Sequence, residues 1–153
     1  MALCGKLVKK TSIKSDGDVF YELFRYKPNH ISYMSPMNIK SVDLNGGEWG
    51  YVGSTMTWNY IIDGKTCVAN EVIEAIDEEK KSVSFKVVDG ALMELYKTFL
   101  LTVQVDTKEE KNFVTWTLTY EKINGNIKDP NTLMEFCLNV TKDIETNLHM
   151  QCN

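Results

Sequence analysis

Glu71 is the residue in this chain best suited to acid–base chemistry, because it stands in the run Val68-Ala-Asn-Glu-Val-Ile-Glu-Ala-Ile76, a carboxylate among apolar neighbours. If Ala69, Glu71, Ile73 and Ala75 face inward on one strand, loss of water around the carboxylate raises its pKa toward that of a general base usable near neutral pH. Val68, Val72 and Ile76 form an equally apolar set of the opposite parity, so the pattern leaves both faces open. His30 is a second candidate, since an unperturbed imidazole donates or accepts a proton near neutrality. Tyr60 and Cys67 add a hydrogen-bond donor and a weak acid. The catalytic candidates are thus Glu71, His30 and Tyr60. Their chemistry would be removal of a proton next to a carbonyl by Glu71 and return of one farther along a conjugated system by His30 or Tyr60.

Other chemistries lack their residues. There is no Ser-His-Asp spacing, no HExxH helix and no paired-carboxylate motif, which argues against hydrolases and metalloenzymes. Cys4, Cys67, Cys137 and Cys152 include no CxxC pair, and only His30 and His149 are present to help them, so they read as reduced thiols and no metal or other cofactor is expected. A net charge of -4 and a pI near 5.2 argue against nucleic acid as a partner. No apolar run is long enough for a signal peptide or a membrane span, which makes the cytoplasm the expected location. The sequon Asn139-Val140-Thr141 falls on a predicted helix and reads as chance.

The elements that must position these groups follow from periodicity. At 153 residues the chain is expected to form one domain, residues 1–153, around one core. Its longest helix is predicted over Asp129 to Met150, with Asn131 or Thr132 as cap, Glu135 three residues after Thr132, and Leu133, Phe136, Cys137, Val140, Ile144 and Leu148 on one stripe. Gly5 to Ile13 reads as a strand. Val19, Phe20, Leu23 and Phe24 follow a Ser15-to-Asp18 cap at helical spacing, Pro28 interrupts, and Asn29 to Met34 makes a second short helix. Strands follow at Ile39 to Leu44, Ser54 to Ile62, Lys65 to Asp77, Ser82 to Val88, Tyr96 to Thr107 and Phe113 to Lys122, with a hairpin signal at Asp63-Gly64. The order is one strand, two short helices, six strands and one long helix. Successive hairpins imply an antiparallel sheet, and threonine on alternate positions implies one solvated face.

The other face is unusually aromatic. Trp58, Tyr60, Phe85, Phe99, Trp116 and Tyr120 belong to the inward sets. If the long helix stands off from the curved sheet, the space between becomes a cavity for a small molecule. The candidate ligand-binding residues are Leu23, Met37 and Ile39 near the short helices, and Trp58, Val68, Phe85 and Val87 on the middle strands. Phe99, Leu101 and Trp116 follow on the later strands, with Phe136 and Val140 on the helix.

Several stretches carry a resemblance. The glycine-rich GGEWGYVGS (46 to 54), WNYIIDGK (58 to 65), FLLTVQV (99 to 105), TWTLTYEKIN (115 to 124) and DPNTLMEFCLNVTKDIE (129 to 145) resemble the major latex protein subfamily of the birch-pollen-allergen and class-10 pathogenesis-related plant proteins, across nearly the whole chain. The resemblance implies an α+β helix-grip fold of the START-like type: a seven-stranded curved antiparallel sheet around a long C-terminal helix, with two short helices closing one end and an internal hydrophobic cavity. It also implies a cytosolic protein of plant defence or specialised metabolism, without cofactor, monomeric or a weak homodimer, that binds an alkaloid, sterol or hormone-like compound. The alternative it carries is a cofactor-free isomerase that moves a double bond in an alkaloid enone. Trp49 and Tyr51 interrupt the glycine loop and no GK[ST] follows, which argues against nucleotide binding.

Overall fold

The computed structural model describes residues 2–151, so Cys152 lies outside the described residues. Strand β1 (Cys4–Ile13) is followed by helix α1 (Gly17–Tyr26), a 3-10 turn (Pro28–His30) and helix α2 (Ile31–Met34). Strands β2 (Ile39–Gly46), β3 (Thr55–Ile62), β4 (Lys65–Asp77), β5 (Ser82–Gly90), β6 (Tyr96–Lys108) and β7 (Lys111–Lys122) come next, and helix α3 (Asn131–Gln151) closes the fold. The seven strands form one antiparallel sheet in the order β1-β7-β6-β5-β4-β3-β2. This is the architecture expected from the periodicity, and the second short helix is split into a 3-10 turn and a single α turn.

Local chemistry accounts for these boundaries. The Asp16 carboxylate accepts from the backbone N–H groups of Asp18 and Val19 at 2.8 and 3.2 Å, satisfying two of the free donors at the start of α1. Phe20, Leu23 and Phe24 then fall on its buried face. In α3 Leu133, Cys137, Val140, Ile144 and Leu148 of the expected stripe are buried and Phe136 is half-buried, and Met134 and Thr141 are buried with them. Each fully buried aliphatic side chain of this kind stabilises the fold by roughly 1.5–3 kcal/mol.

The parity of β4, ambiguous in sequence, has a structural cause. Ala69, Glu71 and Ile73 are buried while Val68 is exposed, so the odd positions face inward over this part of the strand. The pairing with β5 then shifts between Ile73 and Ala75, and beyond that bulge Ile76 packs against the core while Ala75 is exposed. Both apolar sets are therefore used, one on each side of the bulge. A second shift pairs Asn70 with Asp89 but Glu71 with Val87, leaving Val88 over beside Glu71.

Polar ties fix the helices over the sheet. Ser35, fully buried, donates from Oγ to Asp143 of α3 at 2.7 Å, and Asn38 Nδ2 donates to the same carboxylate oxygen at 3.1 Å. The glycine connection between β2 and β3 closes on itself through Ser54, whose Oγ donates to the Glu48 carbonyl and accepts from the Glu48 N–H. Gly50 takes φ +92° with the Tyr26 ring where a Cβ would stand, so α1 seats directly on this loop.

Candidate functional site

A cavity lies between the concave face of the sheet and α3. On the sheet side β3 contributes Trp58 and Tyr60, β4 contributes Ala69 and Glu71, and Ile39, Phe85, Leu101 and Trp116 come from β2, β5, β6 and β7. Helix α3 supplies Leu133, Phe136, Cys137 and Val140, and α1 supplies Phe24. The volume open to the centre of a water-sized sphere is about 60 Å3. On that measure one water needs about 10–15 Å3, so the space holds a few waters and falls well short of the roughly 300–1,000 Å3 of ordinary ligand pockets. A guest larger than a few waters would have to push side chains aside; among the lining residues Trp58, Leu92, Leu101 and Phe136 are only half-buried.

The rings are held by one another. Trp58 meets Phe85 edge-on at 6.1 Å between centroids, Phe24 meets Trp116 in the same way at 5.3 Å, and Tyr60 lies against Phe136 at 5.5 Å. Strand alternation aims Trp58 and Tyr60 into the same space, and α3 brings Phe136 down onto them.

Four polar groups interrupt this apolar surface: the Glu71 carboxyl, the Tyr60 hydroxyl, the Cys137 thiol and the Trp58 N–H. Glu71 is 7% exposed, and among the described residues no hydrogen bond or cation meets its carboxyl; burial alone pushes its pKa up to about 8. It is therefore mostly protonated at neutral pH. The Tyr60 phenol is pushed above its ordinary range by burial first, then by Cys67, Glu71 and Cys137. The Cys137 thiol is raised by burial and by the neighbouring Glu71 carboxyl. Trp58 Nε1 is buried without a hydrogen-bond partner. By contrast, Trp116 Nε1 donates to Thr141 Oγ1 at 2.8 Å.

Of the candidates named from sequence, Glu71, Tyr60, Ile39, Trp58 and Phe85 border the cavity, as do Leu101, Trp116, Phe136 and Val140. His30 does not. The 3-10 turn buries Pro28 and leaves the imidazole exposed against the Tyr33 ring, outside the lining of the cavity. Met37, 82% exposed, sits on the turn that follows Ser35, and Val68 points to the solvent face of β4; neither lines the cavity. Leu23, Val87 and Phe99 are buried in the core without bordering the cavity, Phe99 packing with Tyr96 and Tyr120 instead. Sequence reasoning missed Leu92. It lies on a 3-10 turn at Ala91–Glu94, between two predicted strands, where no periodicity operates. Phe24, Leu133 and Cys137 stand in the helical stripes read from sequence but outside the candidate lining residues.

Among the described residues no three of His, Cys, Asp and Glu come together to hold a metal ion, and no helix is long and apolar enough to cross a membrane.

A model of the pathogenesis-related protein Bet v 1 family matches residues 2–151. The chain belongs to that family. Within the Bet v 1 family it stands with the major latex proteins. It is 45% identical over 149 residues to MLP-like protein 28 of Arabidopsis thaliana, a match that covers 96% of this chain but 44% of that relative. The chain thus spans less than half of that relative's length. The crystal structure of major latex-like protein 151 from Panax ginseng is 53% identical, with a TM-score of 0.94, and covers 95% of this chain and 98% of that one. A Thalictrum norcoclaurine synthase variant, 12% identical with a TM-score of 0.75 over 100% of this chain and 99% of its own, shares the Bet v 1 fold alone.

Proposed function

We propose that this chain binds a small hydrophobic plant metabolite in the cavity between sheet and α3, acting as a cytoplasmic carrier or receptor. The observation that supports this reading most is the lining itself: Phe24, Trp58, Tyr60, Phe85, Trp116 and Phe136 surround a space that is not filled. An ordinary core would close such a space, because packed interiors tolerate few voids and each costs stability. Affinity would come from burying guest surface against the rings, at roughly 25 cal/mol per Å2 of apolar area. The small resting volume favours a compact one- or two-ring compound over a sterol.

The test is displacement of anilinonaphthalene sulfonate by candidate metabolites. Replacing half-buried Phe136 by lysine should abolish dye binding with the circular dichroism spectrum retained. A wild-type protein that takes up neither dye nor metabolite would sink the reading.

Glu71 favours a second reading, catalysis of double-bond migration in a β,γ-unsaturated ketone such as an alkaloid enone precursor. Its carboxylate would take a proton from the carbon next to the carbonyl, the Tyr60 hydroxyl would hold the carbonyl oxygen, and the same proton would return to the far end of the conjugated system. No co-reactant is needed. A base with a pKa near 8 is about one-tenth ionised at pH 7, enough to turn over. Appearance of conjugated-ketone absorbance with wild type but not with Glu71→Gln supports this reading; equal rates in both remove it.

A further inference from the structure

We propose that the cavity is a receptor for an organic ammonium, with the Glu71 carboxylate as the counter-ion and the surrounding rings as the cage. This rests on the binding reading above and names the chemical class of its guest. The first observation is that Glu71 is a buried, unpartnered carboxyl that borders the cavity. An apolar site that only needed to hold a neutral oxygen would be served by the Tyr60 hydroxyl or by the Trp58 N–H, which is buried there without a partner. What a carboxyl adds is the capacity to become an anion. Left unpaired in an apolar interior it costs stability, and a cation is the partner that offsets that cost.

The second observation is the identity of the walls. Tyr60 and Trp58 on β3, Phe85 on β5, Trp116 on β7 and Phe136 on α3 present rings around the same space. Ring faces attract cations within about 6 Å, by about 2 kcal/mol or more when water is excluded.

No group of the protein competes for the role. The ionisable groups that sense Glu71 are Tyr60 on β3 and Cys137 on α3, both acids that burial pushes up and keeps neutral near pH 7. Among the residues lining the cavity there is no lysine, arginine or histidine. The cation has to be brought by the guest.

The proton balance follows. In the empty protein at pH 7 the Glu71 carboxyl holds its proton. When a charged amine enters, that proton leaves to solvent and the carboxylate pairs with the ammonium, so binding one cation releases close to one proton. Affinity for a permanent cation should then rise about tenfold per pH unit up to about pH 8 and level off above it.

The experiment uses one-ring probes matched in shape: benzylamine, benzyl alcohol and benzoate for charge, and benzyltrimethylammonium for the pH profile. By titration calorimetry the amine should bind at least about tenfold tighter than the alcohol at pH 7.5, with benzoate weakest and with proton release scaling with buffer ionisation heat. Glu71→Gln should bring amine and alcohol to similar affinity and flatten the benzyltrimethylammonium profile. Equal affinity of wild type for amine and alcohol, or a pH-independent profile for the permanent cation in wild type, would overturn the proposal while leaving the cavity reading standing if the alcohol binds. If none of the probes binds and no dye is taken up, the cavity reading fails and this inference with it.

Discussion

Trp116 and Thr141 join the middle of β7 to the middle of the long helix: the indole Nε1 donates to Thr141 Oγ1 at 2.8 Å, and Thr141 donates in turn to the Cys137 carbonyl one helical turn earlier, also at 2.8 Å. Both residues are at least nine-tenths buried, so the bond is shielded from water. It holds α3 at a fixed height above the sheet, next to the cavity that Trp116 lines.

Thr141→Val keeps the shape of the side chain and removes the acceptor. The buried indole N–H is then unsatisfied, at a cost of about 1–3 kcal/mol. Urea denaturation should show a lower midpoint with an unchanged slope. Trp116→Phe in the Thr141→Val background should cost less than the sum of the two single changes.

Glu71 predicts an unusual pH dependence. Its pKa is near 8 in the folded chain against an ordinary 4.5 in the unfolded one, so between these values the folded state holds a proton that the unfolded state has lost. Its contribution to stability is fully present below about pH 4.5, declines as pH rises, and is gone above about pH 8, a swing on the order of several kcal/mol. Glu71→Gln should remove this slope and be more stable than wild type at pH 9. Denaturation midpoints at pH 5, 7 and 9 check it; parallel curves for the two proteins would contradict the burial of an uncompensated carboxyl.

Asp143 receives Ser35 Oγ and Asn38 Nδ2 together, and Asn147 Nδ2 donates to the Met34 carbonyl at 2.9 Å beside them. Asp143→Ala leaves the fully buried Ser35 hydroxyl without its acceptor, for a loss of about 1–3 kcal/mol. The loosening should be local. Amide exchange should accelerate over residues 31–39 and at the middle of α3, with the β6–β7 hairpin unchanged.

Gly90 sits at φ +117° before the 3-10 turn that carries Leu92, and a Cβ there would come within 2.1 Å of the Val68 carbonyl. Gly90→Ala combines a disfavoured backbone with a backbone clash, where the conformational strain alone is of order 1–3 kcal/mol. A depressed melting temperature is expected, together with weaker dye uptake as Leu92 is displaced from the cavity. Gly64, at φ +75° with open space around it, is the matched control and should lose less.

The fold was legible because its periods are clean. Val114, Trp116, Leu118 and Tyr120 alternate with threonines on β7, and all four are buried. Legibility stopped where the backbone leaves its period. The bulge after Ile73 made β4 read equally well on either face, and Leu92 sits on a turn whose orientation only the packed sheet decides. Met37 and His30 are the same lesson from another side: each lies near residues that do face inward, and a turn of the chain carries it out to solvent. The cavity volume could not be read at all, since it depends on the rotamers of Trp58 and Phe136 and not on which residues alternate.

The strand order leaves β1 and β2 as the outermost members of the sheet. Their unpaired N–H and C=O groups would invite another chain to add alongside and seed aggregation. On β1, Lys6, Lys9 and Lys10 are exposed; on β2, Lys40 and Asp43 are. A second copy adding along β1 would set lysines against lysines, and along either border it would strip water from charged side chains. The borders of the sheet therefore carry their own safeguard against strand-to-strand assembly.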